Sequence, residues 1–403
     1  MYIRLAWRNL WRNKRRTGIT VAAISFAVMF AIAMRSMQLG AYSNMIDNAV
    51  RFYSGFAQVH KKGYWDEQSL DNSFLHNDSL VRLSLQDNHI QNLVPRIESY
   101  LLASNGTRTR GINVAGIDPE KEKLLTELDR KVIEGNYLDS NDTGILLTKG
   151  LSEYLDASVG DTMALVGMGF HGANAAGKYA VKGIIKFNNP ELNKRFAFIN
   201  LSKAQWLFDA ANVLTALVVI TEPDKVSSAV KSLQATFGSD YEVMDWREMM
   251  PELVQVIEAD SIGGIIILCI LYIVIGFGIF GTIVMMTAER RHEFGVLTAL
   301  GMKPWRLLSV VTIESIMLSM LGVLIGILIS FPVVLYFYHH PIPLSAEMAK
   351  TSEAYGMEAI IPFSLEPKIF FYQALAVLSI SLLAMTYPFF RILTLQPSEA
   401  MRG

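Results

Sequence analysis

Cysteine is almost absent from this chain of 403 residues, where Cys269 stands alone. No intrachain disulfide can form, so any folded region must be held by its own core. An oxidising outside compartment is not excluded by that. Net charge is almost absent too, with 36 Lys and Arg against 37 Asp and Glu. The balance selects no partner by itself, because the basic residues are sorted along the chain, and no nucleic-acid partner is expected. There is no internal repeat and no low-complexity tract. No nucleophile stands with a base, so a non-catalytic chain is expected.

Charge is also missing from long stretches. A helix needs roughly 20 apolar residues to cross a hydrocarbon core of about 30 Å. Ser261 to Ala288 and Ile369 to Phe390 carry no charge, Leu307 to Tyr338 carries only Glu314, and Thr17 to Met34 is a shorter charge-free run. A cleaved leader would also have the basic start and apolar middle of that first run. Its length, and Arg35 where small residues would precede a cleavage site, favour a retained anchor. Four spans arranged one plus three are expected, at 17–38, 261–288, 307–338 and 369–390.

Lys and Arg near the span ends set the orientation. Residues 1–16 hold Arg4, Arg8, Arg12, Lys14, Arg15 and Arg16 with no acid. The 289–306 loop adds Arg290, Arg291, Lys303 and Arg306, and the 391–403 tail adds Arg391 and Arg402. The 339–368 loop has Lys350 and Lys368 against Glu347, Glu353, Glu358 and Glu366. The amphipathic N-terminal segment, the short loop and the tail are therefore expected in the cytosol. The segment 39–260 and the loop 339–368 are expected outside.

The large segment reads as mixed α/β. Apolar residues at Met34, Met37, Ala41, Met45, Ala49 and Phe52 predict that the first span continues as a helical stalk. Strands are expected at Gly55–His60, Arg110–Ile117, Gly144–Leu147, Thr162–Val166, Tyr179–Lys186, Ala216–Thr221 and Tyr241–Trp246. Breaks fall at Gly150, Gly160-Asp161 and Asn188-Asn189-Pro190, and helices near Ser202–Phe208 and Lys225–Phe237. Strands alternating with helices at both ends, around a strand-rich centre, predict a discontinuous α/β subdomain carrying a β-rich insertion.

Two apparent motifs fail on chemistry. Gly172 to Tyr179 nearly matches a phosphate loop, but Tyr179 replaces the Ser or Thr that holds magnesium, and a strand follows instead of a helix. A Gly/Ala-rich hairpin tip is the better reading. His339-His340 has no third ligand for a metal. Glu314, inside a span, is a functional candidate by default. Pairing with Arg306, Arg15 or Arg16 at the cytosolic interface is the expected structural role. Small residues at Ala23, Ala27 and Ala31, and at Gly322, Gly326 and Ser330, suit close helix contact.

The loop from Glu289 to Pro304 is the most distinctive segment. Phe294, Leu297, Leu300 and Gly301 fall near one helical face behind the charged start Glu289, Arg290, Arg291 and Glu293. Gly301 suits a left-handed cap and Pro304 the first turn of the next helix. A short helix held between two spans is a lever that a soluble partner could grip.

That loop, the start Leu5-Ala6-Trp7-Arg8-Asn9-Leu10-Trp11-Arg12-Asn13-Lys14-Arg15-Arg16 and the ending Gln396-Pro397-Ser398-Glu399-Ala400-Met401-Arg402 resemble the FtsX/MacB-type ABC-transporter permeases over essentially the whole chain. Within that family the chain is most similar to the LolC/LolE-type lipoprotein-releasing permeases. Ser54-Gly55-Phe56-Ala57-Gln58-Val59, Val159-Gly160-Asp161 and Val181-Lys182-Gly183-Ile184 carry that likeness. The resemblance implies two permease subunits, identical or paralogous, in the inner membrane, with large domains in the periplasm. Two separate ATPase subunits, holding ATP and Mg, would bind the loop through Phe294, Leu297 and Leu300 and move those domains mechanically.

LolC-type permeases recruit a periplasmic lipoprotein carrier with a hairpin. The matching interval here is Gly167–Gly177, which lacks their proline-flanked character; Phe170 and His171 are its candidate contacts, against the alternative of a flexible turn. Lipoprotein acyl chains would enter an apolar cleft lined by Met29, Phe30, Met34 and Met37 and by Ile262, Ile266 and Ile273, beside membrane lipid. Methionine adapts to variable chains, although ordinary packing explains any one of these residues. MacB-like efflux with a periplasmic adaptor, and an FtsX-like scaffold regulating a cell-wall hydrolase, are the alternatives.

The topology is tested by cysteine labelling. Cysteine at Ser140 or Ser239 should react with an impermeant thiol reagent in intact spheroplasts, and cysteine at Ser398 only after lysis. Labelling at Ser398 without lysis would overturn the orientation.

Overall fold

The computed structural model describes residues 2–187, 190–345, 347, 349 and 360–393. The expected break at Asn188-Asn189, the acids Glu353 and Glu358 and the Gln396–Arg402 ending lie outside the described residues. The chain forms two compact units. Of the described residues, one contains 2–42, Val256–Pro343 and 360–393; the other contains Ser43–Gln255 with 344, 345, 347 and 349.

Among the described residues four helices are long and apolar enough to cross a membrane: Ile3–Ala49, Pro251–Glu289, Pro304–His339 and Pro367–Phe390. In the membrane unit their contacts are close because small residues sit where helices meet. A Cβ on Gly322 would lie 2.6 Å from Ile24, and one on Gly326 would lie 2.9 Å from the Ser25 carbonyl and from Val28. Ser25 donates to the Gly322 carbonyl at 2.9 Å. Ala27 and Ala31 are buried in the first span, whereas Ala23 is exposed. Polar contacts join other pairs: Thr20 with Thr282, and Gln38 and Tyr42 with Asp260, between the first and second helices; Ser319 with Ser381; and Tyr272 with Gln373. Near the far end of the first span, Ser36 donates to the Ser364 carbonyl at 2.6 Å.

Glu314 is fully buried, and its partner differs from the expected one. Arg290 Nη1 donates to it at 2.8 Å and is itself buried. Arg306 is exposed, and Arg16 pairs instead with Glu289. Sequence distance misled the expectation. Arg290 lies at the turn beyond the second span, and helix packing brings that turn beside the third span.

The extramembrane unit is built on one sheet. In order it runs Tyr241–Asp245, Ala57–Lys61, Ala216–Ile220, Asn92–Ser104, Thr109–Ile117, Phe196–Asn200, Ile145–Thr148, Asn174–Ile185 and Val132–Gly135. Thr162–Met168 pairs with both Asn92–Ser104 and Asn174–Ile185. That double pairing closes a ring of six strands, from Asn92–Ser104 through Thr109–Ile117, Phe196–Asn200, Ile145–Thr148, Asn174–Ile185 and Thr162–Met168 back to the first. Closure removes exposed edges. The ring, filled by Ile97, Leu101, Ile112, Leu165, Val181 and Ile199 among others, is the β-rich insertion.

The discontinuous α/β part is the open end of the same sheet. Helices Asp78–Ser84 and Val226–Phe237 cover it, with Val81, Ala229 and Leu233 in a core shared with Val59, Leu217 and Val243. Asn92–Ser104 belongs to both parts. Its first half pairs with Ala216–Ile220 and its second half with Thr162–Met168.

Breaking a buried ion pair from one side leaves an uncompensated charge and costs about 3–5 kcal/mol, whereas removing both charges costs much less. Glu314→Leu should therefore lower the detergent-solubilised protein's melting temperature, and Arg290→Met/Glu314→Leu should restore most of the loss. Equal losses in the single and double variants would show that the pair is not what holds Arg290 in place.

Candidate coupling site

The loop after the second span is built by its breaks. The helix Pro251–Glu289 ends at Arg290, which leaves helical geometry, and a second helix covers Arg291–Ala299. Gly301 then takes φ +92°. Its N–H donates to the Thr298 carbonyl and that of Met302 to the Leu297 carbonyl, each at 3.0 Å, so the orphan carbonyls of the last turn are satisfied by a left-handed cap. Lys303 is extended, and Pro304 opens the third-span helix.

Ion pairs tie this short helix to the membrane unit. Arg12 pairs with Glu293 at 2.9 Å on the surface, and Arg16 with Glu289 at the end of the second span. Arg290 reaches Glu314 in the interior. The N-terminal helix Tyr2–Leu10 packs along the third-span helix, with Ala6 and Leu10 buried and Ile3, Trp7 and Trp11 exposed. Exposed tryptophans on an amphipathic helix suit the membrane–water interface.

The apolar face of the loop helix points inward. Phe294 is buried and shares a core with Leu10, Leu307, Leu308 and Val311, and Leu297 packs partly against it. Phe294 and Arg290 are thus not open to a partner in this structure, contrary to the docking face read from periodicity. Periodicity identifies an apolar stripe without saying what covers it. Exposed instead are Arg291, His292, Glu293, Val296, Ala299 and Leu300, with Leu300 at 79%. His292, Val296 and Leu300 follow each other at helical spacing on one face.

The residues expected to line a cleft fall into two stripes. Phe30 and Met37 are exposed, and Met29 and Met34 half-buried. Ile262, Ile266 and Ile273 are all exposed, on a stripe that Phe277 continues. These apolar faces are open to lipid or a second subunit.

In the Gly167–Gly177 interval the strands extend to Met168 and resume at Asn174. The turn between them is tethered. Phe170 N–H donates to the Phe208 carbonyl at 2.8 Å, and His171 N–H to Asp71 at 2.7 Å. Phe170 packs against the ring's core rather than standing free as the sequence suggested. His171 and Met168 are exposed here, Met168 at 71%, as are Asn174 and Ala176 on the returning strand.

One cluster escaped sequence reasoning. Arg96 is completely buried and donates to Glu122 from Nε at 2.9 Å and from Nη2 at 2.6 Å. Its Nη1 donates to the Tyr53 carbonyl at 2.6 Å, and its guanidinium lies 4.5 Å from the centre of the Tyr53 ring. Burial raises the Glu98 carboxyl pKa, an effect that nearby Arg96 opposes. Burial alone would lower the Arg96 pKa, but the Glu122 carboxylate overrides it and holds the cation firmly protonated. Leu93, Ile97, Leu101 and Ala103 alternate as a strand should, and a charge at position 96 within such a run was the available signal. Among the described residues no group of three or more His, Cys, Asp or Glu could hold a metal.

Residues 17–236 match the MacB-like periplasmic core domain, and residues 265–397 match the FtsX-like permease C-terminal family. The chain is 23% identical over 422 aligned positions to the lipoprotein-releasing system transmembrane protein LolC of Neisseria meningitidis, covering 98% of both chains. It is 21% identical to the pyoverdine export ATP-binding/permease protein PvdT of Pseudomonas aeruginosa, covering 81% of this chain and 50% of that one. The crystal structure of the periplasmic region of MacB from Actinobacillus actinomycetemcomitans aligns with 52% of this chain and 95% of its own, at 15% identity and a TM-score of 0.36. With its core domain matched across more than half its length and its last three spans matched in turn, the chain belongs to the FtsX/MacB-type ABC-transporter permeases.

Proposed function

We propose that this chain is the permease subunit of an inner-membrane complex that releases lipoproteins to a periplasmic carrier, driven by a separate ATPase. The observation that carries the reading is the loop helix, held to the membrane unit by the Arg12–Glu293 pair and by the Arg16–Glu289 and Arg290–Glu314 pairs at the break just before it, while Val296, Ala299 and Leu300 face outward. Such a helix transmits a push because its inner face cannot slip. ATP and Mg belong to the partner, and this chain does no catalysis itself. The match to LolC over 98% of both chains supports the lipoprotein-releasing reading.

Both termini and the loop helix are cytosolic in this reading, and the ring of strands is periplasmic. Two subunits face each other through the exposed stripes of Phe30, Met37, Ile262, Ile266 and Ile273, where acyl chains enter from the membrane. The carrier docks on the hairpin tip through His171 and Met168, with Phe170 bracing the turn from inside. Efflux through a periplasmic adaptor is the second reading, favoured by the MacB-like core domain and the likeness to an export protein.

Leu300→Asp places a charge on an exposed apolar contact and should reduce co-purification of the ATPase at least tenfold, a desolvation cost of about 1.4 kcal/mol or more. Phe294→Asp would disturb the helix's own packing as well, so it is the poorer probe. Retention of the ATPase at wild-type level in Leu300→Asp would refute the docking face. Acylated proteins recovered with the wild-type complex support lipoprotein release, and a periplasmic adaptor recovered in their place overturns it.

The hairpin is tested separately. A photocrosslinker at position 171 should capture a soluble acyl-binding carrier while ATP hydrolysis stays normal. Unimpaired lipoprotein release after replacing Phe170 to Ala175 with a short turn would remove the hairpin from the mechanism.

A further inference from the structure

The helix leaving the first span enters the sheet through an irregular joint. It is regular to Ala49, then widens into a π-turn over Val50–Ser54. Gly55 follows at φ +69°, its N–H donating to the Val50 carbonyl at 2.8 Å. A Cβ there would lie 2.3 Å from Val218, so only glycine fits the turn. A cavity of about 490 Å³, lined in part by Asn48, Val50, Gly55 and Thr126, leaves one side of the joint unpacked. A π-turn beside a void should bend easily.

Tyr53 is what stiffens it. Its ring packs edge-on against Phe196 at 4.6 Å, and its carbonyl accepts from Arg96. Arg96 stands on Asn92–Ser104, the strand shared by the ring and the open layer, and Glu122 holds it from the helix Pro119–Thr126. A buried ion pair is often replaceable by apolar residues with no loss of stability. Stability alone therefore does not account for a completely buried arginine whose remaining donor goes to the last turn of the stalk.

We propose that Arg96 and Glu122 are positioning residues that clasp the Tyr53 carbonyl and fix the direction of the stalk against the strand shared by both parts of the sheet. Motion of the first span then reaches the ring of strands instead of being lost as bending at the π-turn. This inference rests on the reading that ATP hydrolysis moves the extramembrane unit.

The test uses the full chain in a Cys269→Ser background, with spin labels at Ser43 on the stalk and Ser158 beside the ring. Arg96→Met/Glu122→Leu removes both members of the forked pair, and Glu98, 3.7 Å from Arg96 Nη1, loses its neighbouring cation as well. The Ser43–Ser158 distance distribution should broaden by about twofold, and ATP-dependent lipoprotein release by the ATPase-bound complex should fall by about tenfold while ATP hydrolysis stays within about twofold, a loss of coupling rather than of chemistry. Should the double variant unfold, Arg96→Lys keeps a cation for Glu122 without the fork that reaches Tyr53, and must give the same broadening and uncoupling. An unchanged distance distribution, or release and hydrolysis falling together in a folded variant, overturns the clasp. A wild-type complex with no ATP-dependent release defeats the functional reading instead, and the distance measurement then still decides the clasp.

Discussion

A carboxylate surrounded by packed helices must be paired or neutralised, and Glu314 is paired by Arg290. Much of the membrane unit around the loop helix is arranged by that requirement. Arg290 is the first residue after the second span's helix, so pairing it inside fixes where that helix stops and where the loop helix begins. With Arg290 turned inward, Phe294 follows one turn later on the same side and enters the core with Leu307 and Leu308. Val296 and Leu300 are thereby left outside. The buried ion pair thus goes with Arg290 and Phe294 on the packed side of the loop helix and with Val296 and Leu300 on the open one.

The spans, the loop and most strands were legible because each rests on local rules. Charge-free length identifies spans, alternation identifies Thr109–Ile117 and Ala216–Ile220, and Gly301 before Pro304 identifies a cap and a restart. What failed was anything set by contacts distant in sequence. Phe294 and Leu300 are indistinguishable by periodicity, yet one is buried and the other exposed, because the third span and the N-terminal helix cover only one side. Arg306 looked like the natural partner of Glu314 by spacing along one helix, and the second span's end supplied Arg290 instead. Phe170, set among glycines, looked free and is packed.

The longest strand, Asn92–Ser104, was missed for a physical reason. Pro95, Arg96 and Glu98 are residues that strands in a core usually reject. Here the proline lies opposite Leu217 in the pairing register, and the arginine's burial is offset by Glu122 and the Tyr53 carbonyl. A strand that departs from local rules at its centre, and that belongs both to the ring and to the open layer, is where local and global requirements conflict; such conflicts concentrate at functional or strained sites.

Both units place an arginine in the same situation. Arg290 and Arg96 are each buried, each held by a glutamate from another element, and each sits where a long helix gives way to something else. Arginine suits this role because its planar fork binds a carboxylate with part of its donors and leaves others for a second contact. Arg96 shows that division plainly, with Nε and Nη2 on Glu122 and Nη1 on the stalk carbonyl. An apolar residue could fill the same volume, but packing is non-directional and tolerates small rotations. The forked pair at Arg96 resists them. On the proposed coupling role, in which displacement passes from one end of a helix to the other, resistance to rotation at the helix ends matters more than the few kcal/mol that apolar packing could supply there.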